Sequence, residues 1–376
     1  MSPGVKNISH PVLALTMGDM NGIGPEVIIR SLADENTRNS AGYLIFGDKE
    51  VFTRYCRISG SEPFWDDIVD STDENASDKP ADFMAAPTGR TDSSGKKNAD
   101  DASASLPLPS PGSVYVISPD SDQPDESFLS PGAVCPRSGD RSMRCIAAAA
   151  AACLNGKAHA MVTAPISKEA ISLAGYQSPG HTEYLQELAG SGQAGMMLVN
   201  RQMRTGLVTI HEPLRAVSDL ITFERVTQTA RLFHQSLKRD FGIRKPRIAM
   251  LGLNPHAGDG GVLGTEEKQV IGPAVSALQQ EGINVDGPWP SDGFFGSKAY
   301  RNYDLVLAMY HDQGLIPGKM EGFQSGVNVT IGLPLIRTSP DHGTAFPIAG
   351  KNMADAGSMT AAIQLAADMA KWHFMR

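Results

Sequence analysis

The stretch "VLALTMGDMNGIGPEVIIRSLA" (residues 12–33) decides the class of fold. Residues 12–16 are an apolar run of strand length, and a glycine-bearing loop over 18–24 ends it. Pro25 and Glu26 then suit a first helical turn. Proline has no N–H to leave unpaired there, and a carboxylate meets the positive end of the helix dipole. A second apolar run, "YLIFGD" (43–48), follows. Strand, loop, helix and strand make the rhythm of an α/β protein.

The rhythm breaks over 60–112, which is rich in Ser, Asp, Pro, Gly and Ala and reads as a largely disordered surface insertion. It resumes with a strand in "SVYVIS" (113–118), a helix at about 140–154 closed by Asn155-Gly156, the strand "AMVTAP" and a helix starting at Ser167. Further strands are expected in "GMMLVN", "RTGLVTIH", "PRIAMLGLN", "DLVLAMY" and "GVNVTIGLPLIRT". Helices fit "TFERVTQTARLFHQSLKRDFG", "GTEEKQVIGPAVSALQQEG" (capped by Thr265) and the final "SMTAAIQLAADMAKWHFM".

The 376 residues are enough for two domains, and 41% hydrophobic with 20% charged is ordinary for a soluble globular protein. A net charge of −8 with no dominant basic face argues against a nucleic-acid partner. Cys56, Cys135, Cys145 and Cys153 form no C-x-x-C pair and read as free thiols of a cytoplasmic protein. No apolar run is long enough to span a membrane, and "PVLALTM" reads as a first strand rather than a signal peptide.

Three apolar strands each deliver a histidine at or just past the carboxyl end: His211 in "GLVTIHEP", His256 in "IAMLGLNPHAG" and His311 in "LVLAMYHDQG". In open α/β sheets that edge binds ligands. Imidazole is the commonest ligand of borderline divalent metals, and three with an open position suit a catalytic site. Each alone is as well read as a hydrogen-bonded loop histidine, and their spacing is no metal signature. The glycines of "NPHAGDGGVLGTEE" (254–267) lie between a strand and a helix, where backbone N–H groups can hold an anion or simply close a tight turn. Lys319, Asn328 and Arg337 suit phosphate or carboxylate capture near a sheet edge. Neither a Walker A motif nor a G-x-S-x-G elbow occurs.

The motifs "TMGDMNGIGPE", "TAPISKEA", "GHTEYL", "GLNPHAGDGG", "AMYHDQGLIPGK" and "GVNVTIGLPLIRTSPDHGTA", in this order, resemble the 4-hydroxythreonine-4-phosphate dehydrogenase (PdxA) family. The resemblance covers nearly the whole chain outside 60–112. It implies a two-domain α/β fold like that of isocitrate and isopropylmalate dehydrogenases, not a Rossmann fold. The first domain would comprise 1–165 plus 345–376, and the second 166–344.

It also implies a cytoplasmic homodimer with its site at the subunit interface, and NAD (or NADP) as cofactor. His211, His256 and His311 would hold a divalent metal (Zn, Co, Mn or Mg). His181, Thr182, Lys319, Asn328 and Arg337 would bind a small phosphorylated amino-acid substrate. Asp292 and Asp312 match carboxylates near the metal and are the candidate bases. The cofactor pyrophosphate is expected at Gly258, Gly260, Gly261 and Gly264. The implied reaction is oxidation with decarboxylation of 4-phosphooxy-L-threonine to 3-amino-2-oxopropyl phosphate in pyridoxal phosphate synthesis. The alternative is a dehydrogenase of phospho-threonate or phospho-erythronate. A metal-dependent phosphohydrolase and a non-catalytic metal-binding module are the readings from other classes.

Overall fold

The computed structural model describes residues 10–69, 108–119, 129–178 and 180–374. Val12–Thr16 forms β1 and Gly42–Phe46 forms β2, both buried throughout, as continuous apolar runs require in a sheet covered on both faces. The helix Gly24–Leu32 lies between them with Pro25 in its first turn. Glu26 is buried there, and one of its oxygens accepts the Ala354 N–H at 2.8 Å, tying the C-terminal segment to the first helix.

The remaining strands are β3 (Asp67–Val69), β4 (Val114–Ile117), β5 (Ala160–Thr163), β6 (Gly195–Val199), β7 (Arg204–Leu207), β8 (Arg247–Leu251), β9 (Asn284–Trp289), β10 (Leu305–Ala308), β11 (Val327–Ile331) and β12 (Ile336–Pro340). They join one 12-stranded sheet in the order β3-β4-β2-β1-β5-β12-β11-β6-β7-β10-β8-β9. The strands from β3 to β12 are mutually parallel, and so are those from β7 to β9. Between these blocks, β11 pairs antiparallel with β12 and β6, and β6 pairs antiparallel with β7. The two parallel blocks therefore run in opposite directions, and the switch between them is the antiparallel centre.

Helices cover both faces. Phe223–Arg239 buries Val226, Ala230, Phe233 and Leu237, a stripe at the i, i+4, i+7, i+11 spacing of one helix face. Phe233 is fully buried where the sheet carries Gly206, whose added Cβ would stand 2.7 Å from that ring. The helix Pro136–Leu154 begins four residues before the expected start, with its proline in the first turn, and Asn155 and Gly156 close it as expected.

The surface insertion begins later than composition suggested. Phe64 packs edge-on against Phe52 with ring centroids 5.6 Å apart, and β3 pairs parallel with β4, so 60–69 belong to the fold. The segment 70–107 lies outside the described residues. The strand β9 was not expected, because only Val285 of its residues is fully buried and an edge strand of this kind shows no apolar run. Among the described residues no helix is long and apolar enough to cross a membrane.

Candidate functional site

A cavity of about 320 Å³ gathers His181, Thr182, His211, His311, Lys319, Asn328 and Arg337, which the sequence scatters over more than 150 positions. Its floor is one face of the antiparallel centre. Asn328 lies opposite Ser339 and Thr330 opposite Arg337 in the β11–β12 register, and Met196 of β6 lies opposite Thr330. Alternate residues of a strand share a face, so these side chains stand together with Thr163 at the end of β5. One wall is the helix His311–Gly322, where His311, Leu315 and Lys319 recur every four residues and line the cavity from one helix face. The opposing wall opens with His181 and Thr182, the first residues of helix His181–Ala189.

Arg337 is 5% exposed, in the sheet rather than at its edge. Its Nε and Nη2 donate to the Thr163 hydroxyl at 3.1 and 2.6 Å, and its Nη1 donates to the Thr330 hydroxyl at 2.9 Å. Among the described residues none of its hydrogen bonds goes to a carboxylate. Burial pushes its pKa down to about 10, with Glu183 opposing the fall. Burial, followed by the charge on Arg337, holds His181 well below the ordinary imidazole value. The buried Nε2 of His181, the Asn328 Oδ1 and the His342 Nε2 have no hydrogen-bond partner within the protein. Lys319 is paired with Asp341 at 3.0 Å, and the Asn328 amide donates to the other oxygen of Asp341 at 3.0 Å. The cavity is thus cationic at its base, with unspent polar atoms for an anion carrying hydroxyl or ammonium groups.

At the mouth, His211 and His311 follow the neighbouring strands β7 and β10, and their ring centroids are 5.8 Å apart. Burial lowers the His211 pKa, reinforced by the nearby charges of Lys168 and His311. The Nδ1 of His311 is 2.7 Å from Asp312 Oδ1, which leaves its Nε2 as the free nitrogen. Two imidazoles at this separation, one oriented by a carboxylate, fit the first ligands of a divalent cation. His256 does not join them within one chain. It is exposed beyond β8, outside the cavity, and among the described residues no three His, Cys, Asp or Glu side chains form a metal cluster. Asp292 is also exposed, in the first turn of helix Ser291–Gly296 beyond β9, and does not line the cavity.

The loop after β8 has a conformation the sequence did not reveal. His256, Ala257, Gly258, Asp259 and Gly260 all have left-handed backbone angles, with φ between 44° and 79°. A Cβ at Gly258 would stand 2.6 Å from Glu267 Oε2, and one at Gly264 would stand 2.3 Å from Asn254 Nδ2. Those two glycines serve the turn itself. Gly260 faces open space, and Gly261 nearly so. The Thr265 hydroxyl does not cap the following helix. The Glu266 carboxylate instead accepts the Thr265 N–H at 3.0 Å.

Sequence reasoning missed Thr163, Thr330, Lys168, Glu183 and Asp341, all lining the cavity. Lys168, Glu183 and Asp341 lie inside motifs already singled out ("TAPISKEA", "GHTEYL", "SPDHGTA") and could have been found there. Nothing in the sequence marks the two threonines, which are ordinary strand residues until the register brings them to Arg337.

A family model described as pyridoxal phosphate biosynthetic protein PdxA matches residues 40–366. The chain is 44% identical to a 4-hydroxythreonine-4-phosphate dehydrogenase of Geobacter metallireducens, over 96% of each chain. It is 39% identical to a D-threonate 4-phosphate dehydrogenase of Pectobacterium atrosepticum, over 96% of this chain and 99% of the relative. A crystal structure of 4-hydroxythreonine-4-phosphate dehydrogenase from Klebsiella pneumoniae superposes with a TM-score of 0.77 at 36% identity, covering 97% of this chain and 99% of that one. The chain belongs to the PdxA family of pyridoxal phosphate biosynthetic proteins.

Proposed function

We propose that the chain is an NAD-dependent dehydrogenase that oxidises 4-phosphooxy-L-threonine and releases carbon dioxide, giving 3-amino-2-oxopropyl phosphate. The observation that carries this reading is the buried Arg337, bonded only to hydroxyls, at the base of a cavity whose mouth holds paired imidazoles. A phosphate would give the guanidinium its missing counter-charge and bond the enclosed Nε2 of His181. Thr182, Lys319 and Asn328 line the same space and complete the phosphate end. Holding the remote phosphate fixes the C3 hydroxyl toward His211 and His311, so binding energy positions the reacting carbon.

In the reaction, C3 loses a hydride to the nicotinamide, and its hydroxyl proton leaves through water to Asp312, exposed beside His311. Asp312 also holds the His311 ring in orientation. The resulting 3-keto acid loses carbon dioxide from C1, the electron pair passes to the keto oxygen, and C2 is then protonated. When bound by His211, His311 and His256, a divalent metal supplies Lewis acidity at that oxygen. Asp292 keeps a supporting carboxylate role near His256.

Gly260 and Gly261 are the part of the 258–264 loop left free to meet the pyrophosphate, since Gly258 and Gly264 are used inside the turn. The exposure of His256 supports a homodimer in which the partner completes the metal site. The antiparallel centre between parallel blocks supports the isocitrate/isopropylmalate dehydrogenase-like fold over a Rossmann fold, with lobes 1–165 plus 345–376 and 166–344. A cytoplasmic setting suits free thiols at Cys56, Cys135, Cys145 and Cys153.

The test is nicotinamide reduction followed by absorbance, with 4-phosphooxy-L-threonine, D-threonate 4-phosphate and erythronate 4-phosphate as rival substrates. The amino acid is expected to give the highest kcat/KM, with carbon dioxide released in step with NADH. A preference for either sugar acid would overturn the substrate. Phosphate release without any nicotinamide requirement would overturn the reaction class.

A further inference from the structure

The left-handed run that carries His256 is closed around one side chain. Backbone of this hand is disfavoured wherever a Cβ is present, so His256, Ala257 and Asp259 hold it only if their surroundings over-determine it. Glu267, 6% exposed, supplies that constraint. Its Oε1 accepts the N–H groups of Leu253 and Asn254, both at 2.7 Å. Its Oε2 accepts the Asn254 side-chain amide at 3.0 Å. Gly258 packs against the same oxygen so closely that no Cβ fits. The carboxylate thus bonds the loop just before His256 and packs against it just after.

Two further features make the clamp specific to this loop. Glu267 opens a π-helical turn, Glu267–Ile271, where most helices would start regularly. The adjacent Glu266 takes the same Asn254 amide at 2.7 Å and the Ser218 hydroxyl at 2.6 Å. Ser218 lies on helix Leu214–Leu220, which follows the His211 segment. The two carboxylates therefore tie the His256 loop to the element that follows His211.

We propose that Glu267 is the positioning residue of the metal site: it never touches substrate, and it sets where the His256 imidazole stands. This rests on the metal reading above. Glutamine at 267 keeps the shape but puts an N–H against the Asn254 amide, donor against donor, so one leg of the clamp is lost while the fold is kept.

The experiment is calorimetric titration of Zn²⁺ alone into the metal-stripped wild type, Glu267→Gln and His256→Ala, with steady-state kinetics at saturating metal. Glu267→Gln is expected to bind zinc about 10- to 100-fold more weakly, the range for changes behind a metal-bound histidine. Its KM for the phosphorylated substrate should stay within about twofold, because the cavity floor is untouched. His256→Ala should lose tight zinc binding. Wild-type zinc affinity in Glu267→Gln, with His256→Ala impaired, would overturn the positioning role and leave the metal reading standing. Wild-type affinity in His256→Ala would overturn both. If Glu267→Gln does not fold, Asn254→Ala decides: weaker zinc binding supports the clamp, and unchanged binding overturns it.

Discussion

Replacing Arg337 by methionine should weaken substrate use and strengthen the fold, and the opposite signs make the experiment informative. Burial brings the guanidinium down to about 10. At about 1.4 kcal/mol per pH unit, its ionised form is disfavoured in the folded protein by about 3 kcal/mol. The sign follows from linkage. A base with a depressed folded pKa carries this penalty at every pH below that value and sheds it only as pH rises beyond, so it applies in full at neutral pH. Methionine removes the penalty but strips Thr163 and Thr330 of their partner, at about 1 kcal/mol each. The net expectation is a gain of about 1 kcal/mol in urea unfolding of the ligand-free protein. Loss of the charge-assisted contact with phosphate costs about 3 kcal/mol, or roughly 10²-fold in kcat/KM, carried mainly by KM. A variant that is clearly less stable and has an unchanged KM would show that Arg337 braces the sheet and binds nothing.

Two further outcomes test the fold. His159 is 4% exposed, accepts the Val12 N–H at Nδ1 at 2.9 Å, and is held by burial below the ordinary imidazole value of 6.5. Its folded pKa lies below its unfolded one, so its stability contribution is complete above 6.5 and drains away as pH falls. The urea midpoint should fall between about pH 7 and pH 5, and less so in His159→Gln; parallel profiles would refute this. Phe233→Ala should cost about 3–5 kcal/mol, the range for emptying a buried aromatic site. Adding Gly206→Ala, whose methyl would enter the vacated space, should recover part of that loss. Strict additivity would deny the contact.

What could be read in advance follows from the range of each signal. The strands β1, β2, β5, β8 and β10 are buried runs bounded by glycine, proline or polar residues, and such local contrast needs no partner to be visible. The order of those strands is not local. Arg337 looked like a sheet-edge cation because nothing within ten residues distinguishes an edge position from one facing a buried floor. Its neighbours Thr163 and Thr330 are 174 and 7 residues away, and register alone brings them in. The histidine pair was legible because His211 and His311 each end an apolar run, and adjacency of β7 and β10 did the rest. His256 shared that sequence pattern, yet a left-handed loop governed by Glu267, eleven residues on, carries it away from the other two.

The site draws its two kinds of chemistry from two kinds of backbone, and the division has a physical reason. A buried cation needs fixed donors and acceptors around it, since any slack leaves it uncompensated. The antiparallel centre provides that, with Arg337 and Thr330 directly opposite in register. Imidazoles that must converge on a shared point need adjustable stems, and the loops beyond β7, β8 and β10 are free of ladder hydrogen bonds. Rigid capture at the floor and adaptable ligands at the rim are therefore not interchangeable. Moving an arginine to the rim would leave it solvated and weak, whereas moving a histidine into the floor would bury it neutral, as happens to His181 beside Arg337. That neutral ring can donate or accept one bond at Nε2 without adding charge, which lets it meet a phosphate already balanced by the guanidinium.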